Sequence, residues 1–127
     1  RLRGAAAKTQ GACVTEAALL REIRAALNGA KDSQGRYRCR VVRNSVGFDR
    51  ERKVRYGLGL GSADLIGVIR GTGRVVAFEV KAGAAKPSAD QIAWLRALRT
   101  WGGSGAVVRS TAEAMAALAA AESACRQ

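Results

Sequence analysis

Histidine is absent from this 127-residue chain. That excludes a Ser-His-Asp or Cys-His nucleophile system, a histidine general base and a His-ligated zinc site. Any chemistry falls to carboxylates, lysine, hydroxyls or a bound metal. Cysteine is scarce as well: Cys13, Cys39 and Cys125 are odd in number, far apart and without a C-x-x-C pair. A disulfide framework and a four-thiolate zinc site are therefore not expected, and the reading is reduced thiols in a cytoplasmic protein. Aromatics supply 5% of the residues against 48% hydrophobic, so a core must come from Val, Ile, Leu and Ala. The same scarcity argues against RNA recognition by base stacking. Long apolar runs are missing too. The stretch Ala114-Met115-Ala116-Ala117-Leu118-Ala119-Ala120-Ala121 falls short of the roughly 18 residues of a membrane span, and no secretory signal is visible, so no membrane partner is expected.

Acids are in short supply: 10 Asp and Glu face 22 Lys and Arg, for a net charge of +12. Such a field draws polyanions, with nucleic acid the first candidate and an anionic membrane surface the second. Eight of the bases, Arg36, Arg38, Arg40, Arg43, Arg50, Arg52, Lys53 and Arg55, lie in residues 36–55 against only Asp49 and Glu51. Half the net charge thus falls in twenty residues, where a phosphate-tracking surface is expected. A solvated strand face followed by a mobile charged loop is the alternative. Lys86 is a further phosphate contact candidate.

Residues 62–81 organise the chain. Asp64 opens the apolar run Leu65-Ile66-Gly67-Val68-Ile69, Gly71-Thr72-Gly73 forms a turn, and Val75-Val76-Ala77-Phe78 leads into Glu79-Val80-Lys81. The pattern reads as a β-hairpin. Strand facing repeats every two residues, so Glu79 and Lys81 share a face and Val80 takes the other. Asp64 lies at the mouth of the neighbouring strand. Two carboxylates and an ammonium meeting on a sheet suit magnesium and phosphate chemistry.

The remaining elements follow from periodicity and caps. Thr15 caps a helix to Gly29 with Leu19, Leu20, Ile23 and Leu27 on one stripe. Arg36 to Asn44 alternates as a strand with Tyr37, Cys39 and Val41 inward. Tyr56 to Gly61, with alternating glycines, precedes a strand and so is no dinucleotide fingerprint. It serves either close backbone approach to a substrate or loop flexibility. Ser88 and Gln91 form a capping box after Pro87, the only proline, and Ile92, Trp94, Leu95, Leu98 and Trp101 pack one side of the helix. Gly102 to Gly105 ends it. Ala106 to Arg109 is a strand parallel to its predecessor, and Ser110-Thr111 starts a last helix with Met115 and Leu118 buried. The expected order is α-β-β-β-α-β-α, a mixed α+β domain over residues 13–127 with a four-stranded mixed sheet between helices. Residues 1–12, with Arg1, Arg3 and Lys8, read as a flexible basic leader.

The segments S-A-D-L-I-G, F-E-V-K, S-A-D-Q-I-A-W-L and W-G-G-S-G-A-V-V-R-S together resemble the PD-(D/E)XK nuclease superfamily, and most closely its VRR-NUC branch. The likeness runs from about Thr15 to Met115, with Ala63 where the superfamily name has proline. It implies a restriction-endonuclease-like core and hydrolysis of DNA phosphodiester bonds. Asp64, Glu79 and the carbonyl of Val80 would hold Mg2+ or Mn2+, and Lys81 would orient or activate water. Glu16, in the first helix, and Gln91 would complete the catalytic set; Glu22 is a weaker candidate for the glutamate. Glu16 also suits the positive end of its helix, and Gln91 its capping box, without any catalytic role. Stand-alone members are similar to structure-selective nucleases, junction resolvases among them, so branched DNA of recombination and repair and a homodimer are the expected partners. No small-molecule cofactor is expected. The rivals are a non-catalytic nucleic-acid-binding module on the same scaffold and a basic ribosome- or RNA-associated protein.

Overall fold

The computed structural model describes residues 14–125. The expected leader over residues 1–12, and Cys13, lie outside the described residues.

Helix α1 spans Glu16–Gly29, and the Thr15 hydroxyl accepts the Ala18 N–H at 3.1 Å, as its cap position requires. Its stripe of Leu19, Leu20, Ile23 and Leu27 is buried. Strand β1 (Cys39–Arg43) is followed by a two-stranded ribbon, β2 (Gly47–Asp49) and β3 (Val54–Tyr56). The hairpin β4 (Leu65–Ile69) and β5 (Val75–Val80) comes next, then α2 (Ala89–Thr100), β6 (Ser104–Val108) and α3 (Thr111–Cys125). The described residues thus form a mixed α+β unit with three helices and a four-stranded sheet of order β1-β4-β5-β6. Pairing is antiparallel except between β5 and β6, which are parallel and joined through α2.

The two faces of the sheet are covered unequally. Val41, Leu65, Val76, Phe78, Val80 and Val108 point to one face and pack with α1 and with Ala114, Leu118 and Ala121 of α3. Each large apolar side chain taken out of water there contributes roughly 1.5–3 kcal/mol. The other face is covered by α2, whose Leu95 meets Ala63 and Ala77 with Ile66, Trp94, Leu98 and Val107 around them. The edge of β1 is closed by a side chain: Asn28 donates to the Val41 carbonyl at 2.9 Å and accepts the Val41 N–H at 2.8 Å. The helix-ending asparagine therefore satisfies an edge strand that lacks a neighbour.

Four expectations need correction. The element order is α-β-β-β-β-β-α-β-α, because the basic stretch after Asn44 carries the β2–β3 ribbon where a loop was expected. The first strand begins at Cys39 and not Arg36, since the chain turns through residues 31–37 and Tyr37 bridges back to Lys31. Tyr37 is consequently exposed, with the Lys31 ammonium 5.0 Å from its ring centroid, while Cys39, a free thiol, and Val41 are buried as expected. Ile92 and Trp101 do not join the packed side of α2: Trp101 is 88% exposed because it lies past the last helical turn as the C-cap. In α3 the buried positions are Ala114, Leu118 and Ala121, and Met115 is only partly buried at the margin. Among the described residues no helix is long and apolar enough to cross a membrane.

Candidate functional site

The register of the β4–β5 hairpin pairs Leu65 with Phe78 and Ile66 with Ala77. One step further, Asp64 falls opposite Glu79. The Asp64 carboxylate accepts the Val80 N–H at 2.8 Å, which ties the start of β4 to the end of β5. Glu79 is 1% exposed. Its Oε1 accepts the Gln91 side-chain amide at 2.9 Å, and Lys81 Nζ is 3.8 Å from the same oxygen. Its Oε2 is buried and meets no N–H or hydroxyl donor among the described residues, only the neighbouring Asp64 carboxyl being close to Glu79 as an acid partner. Burial, followed by the charge of Asp64 and a shared-proton contact with it, pushes the Glu79 carboxyl up to about 8. Lys81 pulls it down and Glu16 raises it further, both more weakly. A carboxyl held neutral this way relaxes to its ionised form when a cation arrives.

Gln91 has two duties. Its Oε1 accepts the Ser88 N–H at 2.8 Å and the Ser88 hydroxyl accepts the Gln91 N–H at 3.2 Å, completing the expected capping box. Because Oε1 is used by the cap, the amide nitrogen is aimed at Glu79. One side chain thus starts α2 and fixes the rotamer of a buried acid.

Two clefts border Asp64, and neither is lined by Glu79 or Lys81. A small one, about 140 Å3, is bounded by Glu16, Ala17, Leu20, Arg43 and Asp64. A larger one, about 420 Å3, has Arg43, Asn44, Tyr56, Asp64 and Gln91 in its walls. The first turn of α1 borders the small cleft and that of α2 the larger one, and the positive end of each helix dipole favours anions there. Glu16 is exposed at the first of these turns; Glu22 is exposed further along α1 and borders neither of these two clefts.

The basic candidates divide by location. Arg43 is exposed and borders both clefts. Arg50, Arg52, Lys53 and Arg55 lie on the ribbon and its tip, all exposed, with Arg52 3.9 Å from Asp49. Arg40 is exposed on the sheet, and Lys86 is exposed in the loop before α2. Two are otherwise engaged. Arg36 donates to Asp32 at 3.0 Å, and Arg38 is half-buried in an ion pair with Glu122 of α3. That hydrogen-bonded carboxylate raises the Arg38 pKa above its ordinary value. Arg38 therefore fastens β1 to α3.

Asn44 has a role that the residue pattern did not reveal. Its amide nitrogen donates to Ser62 Oγ at 2.7 Å and to the Ala63 carbonyl at 2.9 Å, its Oδ1 accepts the Leu58 N–H at 3.2 Å, and its backbone N–H donates to the Asp64 carbonyl at 2.8 Å. Ser62 Oγ in turn donates to the Gly59 carbonyl at 2.7 Å. Gly61, at φ +80, leaves no room for a Cβ against the Asp90 backbone, so the loop can lie flat on α2. The glycine-rich segment before Asp64 is accordingly folded around one asparagine. The available signal was an amide residue closing an arginine-rich strand, which by itself reads as a turn. Asn44→Ala is expected to lower stability by about 1–3 kcal/mol, because it strips several part-buried groups of their partners at once. Urea unfolding checks this, and a loss under about 0.5 kcal/mol is the outcome expected of an ordinary surface site.

Among the described residues no three His, Cys, Asp or Glu side chains cluster closely enough to hold a metal ion by themselves. The side-chain donor set is two carboxylates, Asp64 and Glu79. That is compatible with magnesium, which commonly takes one or two carboxylates and completes its shell with water and substrate phosphate. The unpartnered Glu79 Oε2 is the feature that a divalent cation would satisfy. Comparison with known proteins gave no family model and no curated protein that matches the chain.

Proposed function

We propose that the protein is a divalent-metal-dependent nuclease with a restriction-endonuclease-like core, hydrolysing DNA phosphodiester bonds in branched or junction structures. One observation carries the proposal: two carboxylates from paired strand ends meet beside Lys81, and the buried one has an oxygen that meets no N–H or hydroxyl donor. Asp64, Glu79 and the Val80 carbonyl are the groups to hold Mg2+ or Mn2+. When bound, the ion supplies Lewis-acid polarisation of the phosphate and offsets its developing charge. Lys81 Nζ, mostly shielded from solvent and next to Glu79, orients the attacking water and offers a positive charge to the phosphate. Gln91 holds the Glu79 carboxylate in place, and Glu16 completes the acidic rim from α1. Arg43 and the bases of the ribbon supply phosphate contacts that set the position of the strand. A cut in both strands of a symmetric junction needs two such sites, so a two-fold pair of chains is part of the proposal.

Incubation with linear, forked and four-way-junction DNA, with Mg2+, with Mn2+ and with EDTA, tests this directly. Metal-dependent cleavage is the expected result. Tight binding without cleavage in any metal assigns the scaffold to a non-catalytic nucleic-acid-binding module instead. Binding is also expected to weaken steeply with salt, with a log–log slope of roughly −4 if four or five phosphates are contacted on a duplex arm. A slope near zero, measured by titration between low and moderate salt, removes the ribbon and Arg43 as the contact surface.

A further inference from the structure

Aromatic residues are few in this chain, and most of them are not in the core. Tyr37, Phe48, Tyr56 and Trp101 are exposed, Trp94 is partly buried, and Phe78 alone is fully buried. Two of the exposed rings belong to the β2–β3 ribbon. Register separates them: Tyr56 pairs with Gly47, while Phe48 pairs with Arg55. Successive pairs alternate in facing, so the two rings leave opposite faces of the ribbon. Tyr56 borders the larger cleft, in the same wall system as Asp64 and Gln91; Phe48 does not.

Gly47 is what allows the Tyr56 ring its place. A Cβ on Gly47 would collide with the ring and its hydroxyl. The ring therefore lies across a bare stretch of the partner strand, with one side covered by backbone and about half its surface open. The cleft beside it measures about 420 Å3, within the roughly 300–1,000 Å3 of small-ligand pockets. Val46 adds an apolar contact, Gln91 adds an amide, and Arg43 adds a positive charge at the shared border with the smaller cleft, while the Asn44 amide is committed to holding the loop at the cleft wall. A flat π-surface, a side-chain amide and an arginine within one cleft suit a nucleobase with its phosphate. A base inside a continuous duplex has both faces covered by its stacked neighbours, so the occupant must be unstacked.

We infer that the cleft between Tyr56 and Asp64 is a binding subsite for one unpaired nucleotide next to the scissile phosphate, with its base stacked on the Tyr56 ring. This rests on the nuclease reading and supplies it with a physical source of structure selectivity. Unpaired bases at a branch or fork fill the subsite, and a continuous duplex leaves it empty. The low aromatic content, which argues against a stacking platform when counted over the whole chain, is compatible with a single ring placed at the site.

The test uses the full chain and two oligonucleotide probes, a continuous duplex and a fork carrying 2-aminopurine as the first unpaired base. Base–aromatic stacking is worth a roughly 5- to 150-fold change in affinity per base. Tyr56→Ala is expected to weaken fork binding about ten-fold, to restore the quenched 2-aminopurine fluorescence, and to change duplex binding less than about two-fold. Tyr56→Phe keeps both properties. Gly47→Ala, which leaves Tyr56 in the chain but displaces its ring, reproduces Tyr56→Ala. Phe48→Ala, on the opposite face, leaves the fork preference intact. Circular dichroism melts confirm that the variants remain folded. Equal losses on fork and duplex, or a fork preference lost with Phe48→Ala and kept with Tyr56→Ala, overturn the subsite. Wild-type protein that binds neither probe overturns the subsite and the nuclease reading together. Fork binding with quenching but no cleavage in any metal sinks the catalytic reading alone and leaves the subsite standing.

Discussion

Asp64→Asn and Lys81→Ala are each expected to lower the proposed metal-dependent cleavage by at least about a thousand-fold, while binding to the same DNA stays within about two-fold of wild type. The two substitutions fail for different physical reasons. Asp64→Asn keeps the shape of the side chain and an oxygen able to accept the Val80 N–H, so the β4–β5 junction survives. What it removes is one of the two negative charges that would attract the cation. Lys81→Ala leaves both carboxylates and removes the ammonium 3.8 Å from Glu79 Oε1. The acids are then less well compensated, and on the proposed mechanism the attacking water would lose its orienting partner. Neither residue is on the exposed basic ribbon, so affinity, which phosphate charge dominates, has little reason to change. Single-turnover cleavage and an equilibrium binding assay on one substrate separate the two effects. Wild-type cleavage rates in both variants would end the proposed mechanism, whereas a parallel loss of binding would point to damage to the fold.

The hairpin that carries these residues was legible because three local signals agree. β-branched runs, a Gly-Thr-Gly turn and the two-residue alternation through Glu79-Val80-Lys81 leave one sensible register, and the observed Leu65–Phe78 pairing follows it. Both capping signals were legible for the same reason: Thr15 and the Ser88–Gln91 pair act within one turn of the chain. The ribbon was not. Gly47-Phe48-Asp49 and Val54-Arg55-Tyr56 are three residues each, too short to establish a period, and the surrounding charges read as loop. The spatial meaning of Asn44 and the loss of Arg38 to Glu122 were not legible either. Both depend on contacts between residues far apart in sequence, 84 positions in the case of Arg38. Sequence spacing places side chains on faces; it does not say which distant partner will reach them. The same limit explains Tyr56, whose importance comes from a neighbour without a side chain.

Glu79 makes the metal-free fold sensitive to pH in a direction opposite to that of most acids. In the unfolded chain its carboxyl titrates near the ordinary 4.5, while in the folded chain burial and Asp64 hold it at about 8. Between those values the native state binds a proton that the unfolded state lacks, so stability falls as pH rises. The stabilising contribution is complete below about pH 4.5, drops through the window, and is gone once pH passes about 8. Relaxation around the charged form reduces the full linkage, leaving a loss of roughly 2–4 kcal/mol, on the order of 10 °C in melting temperature. Glu79→Gln is uncharged at every pH and is expected to melt at nearly the same temperature across the window, above wild type at pH 8.5. Asp64→Asn, by removing the neighbouring charge, gives an intermediate slope. A divalent cation has the opposite linkage to the proton, since it binds the ionised carboxylate and displaces the shared proton. Added Mg2+ or Mn2+ therefore raises the wild-type melting temperature most at high pH and has little effect on Glu79→Gln. Melting curves from pH 5 to 9, with EDTA and with each metal, distinguish these cases. If wild type and Glu79→Gln show the same pH slope, Glu79 is not the buried proton carrier. If the slopes differ but neither metal stabilises wild type at high pH, the paired carboxylates titrate as described and the cation site is lost from the proposal.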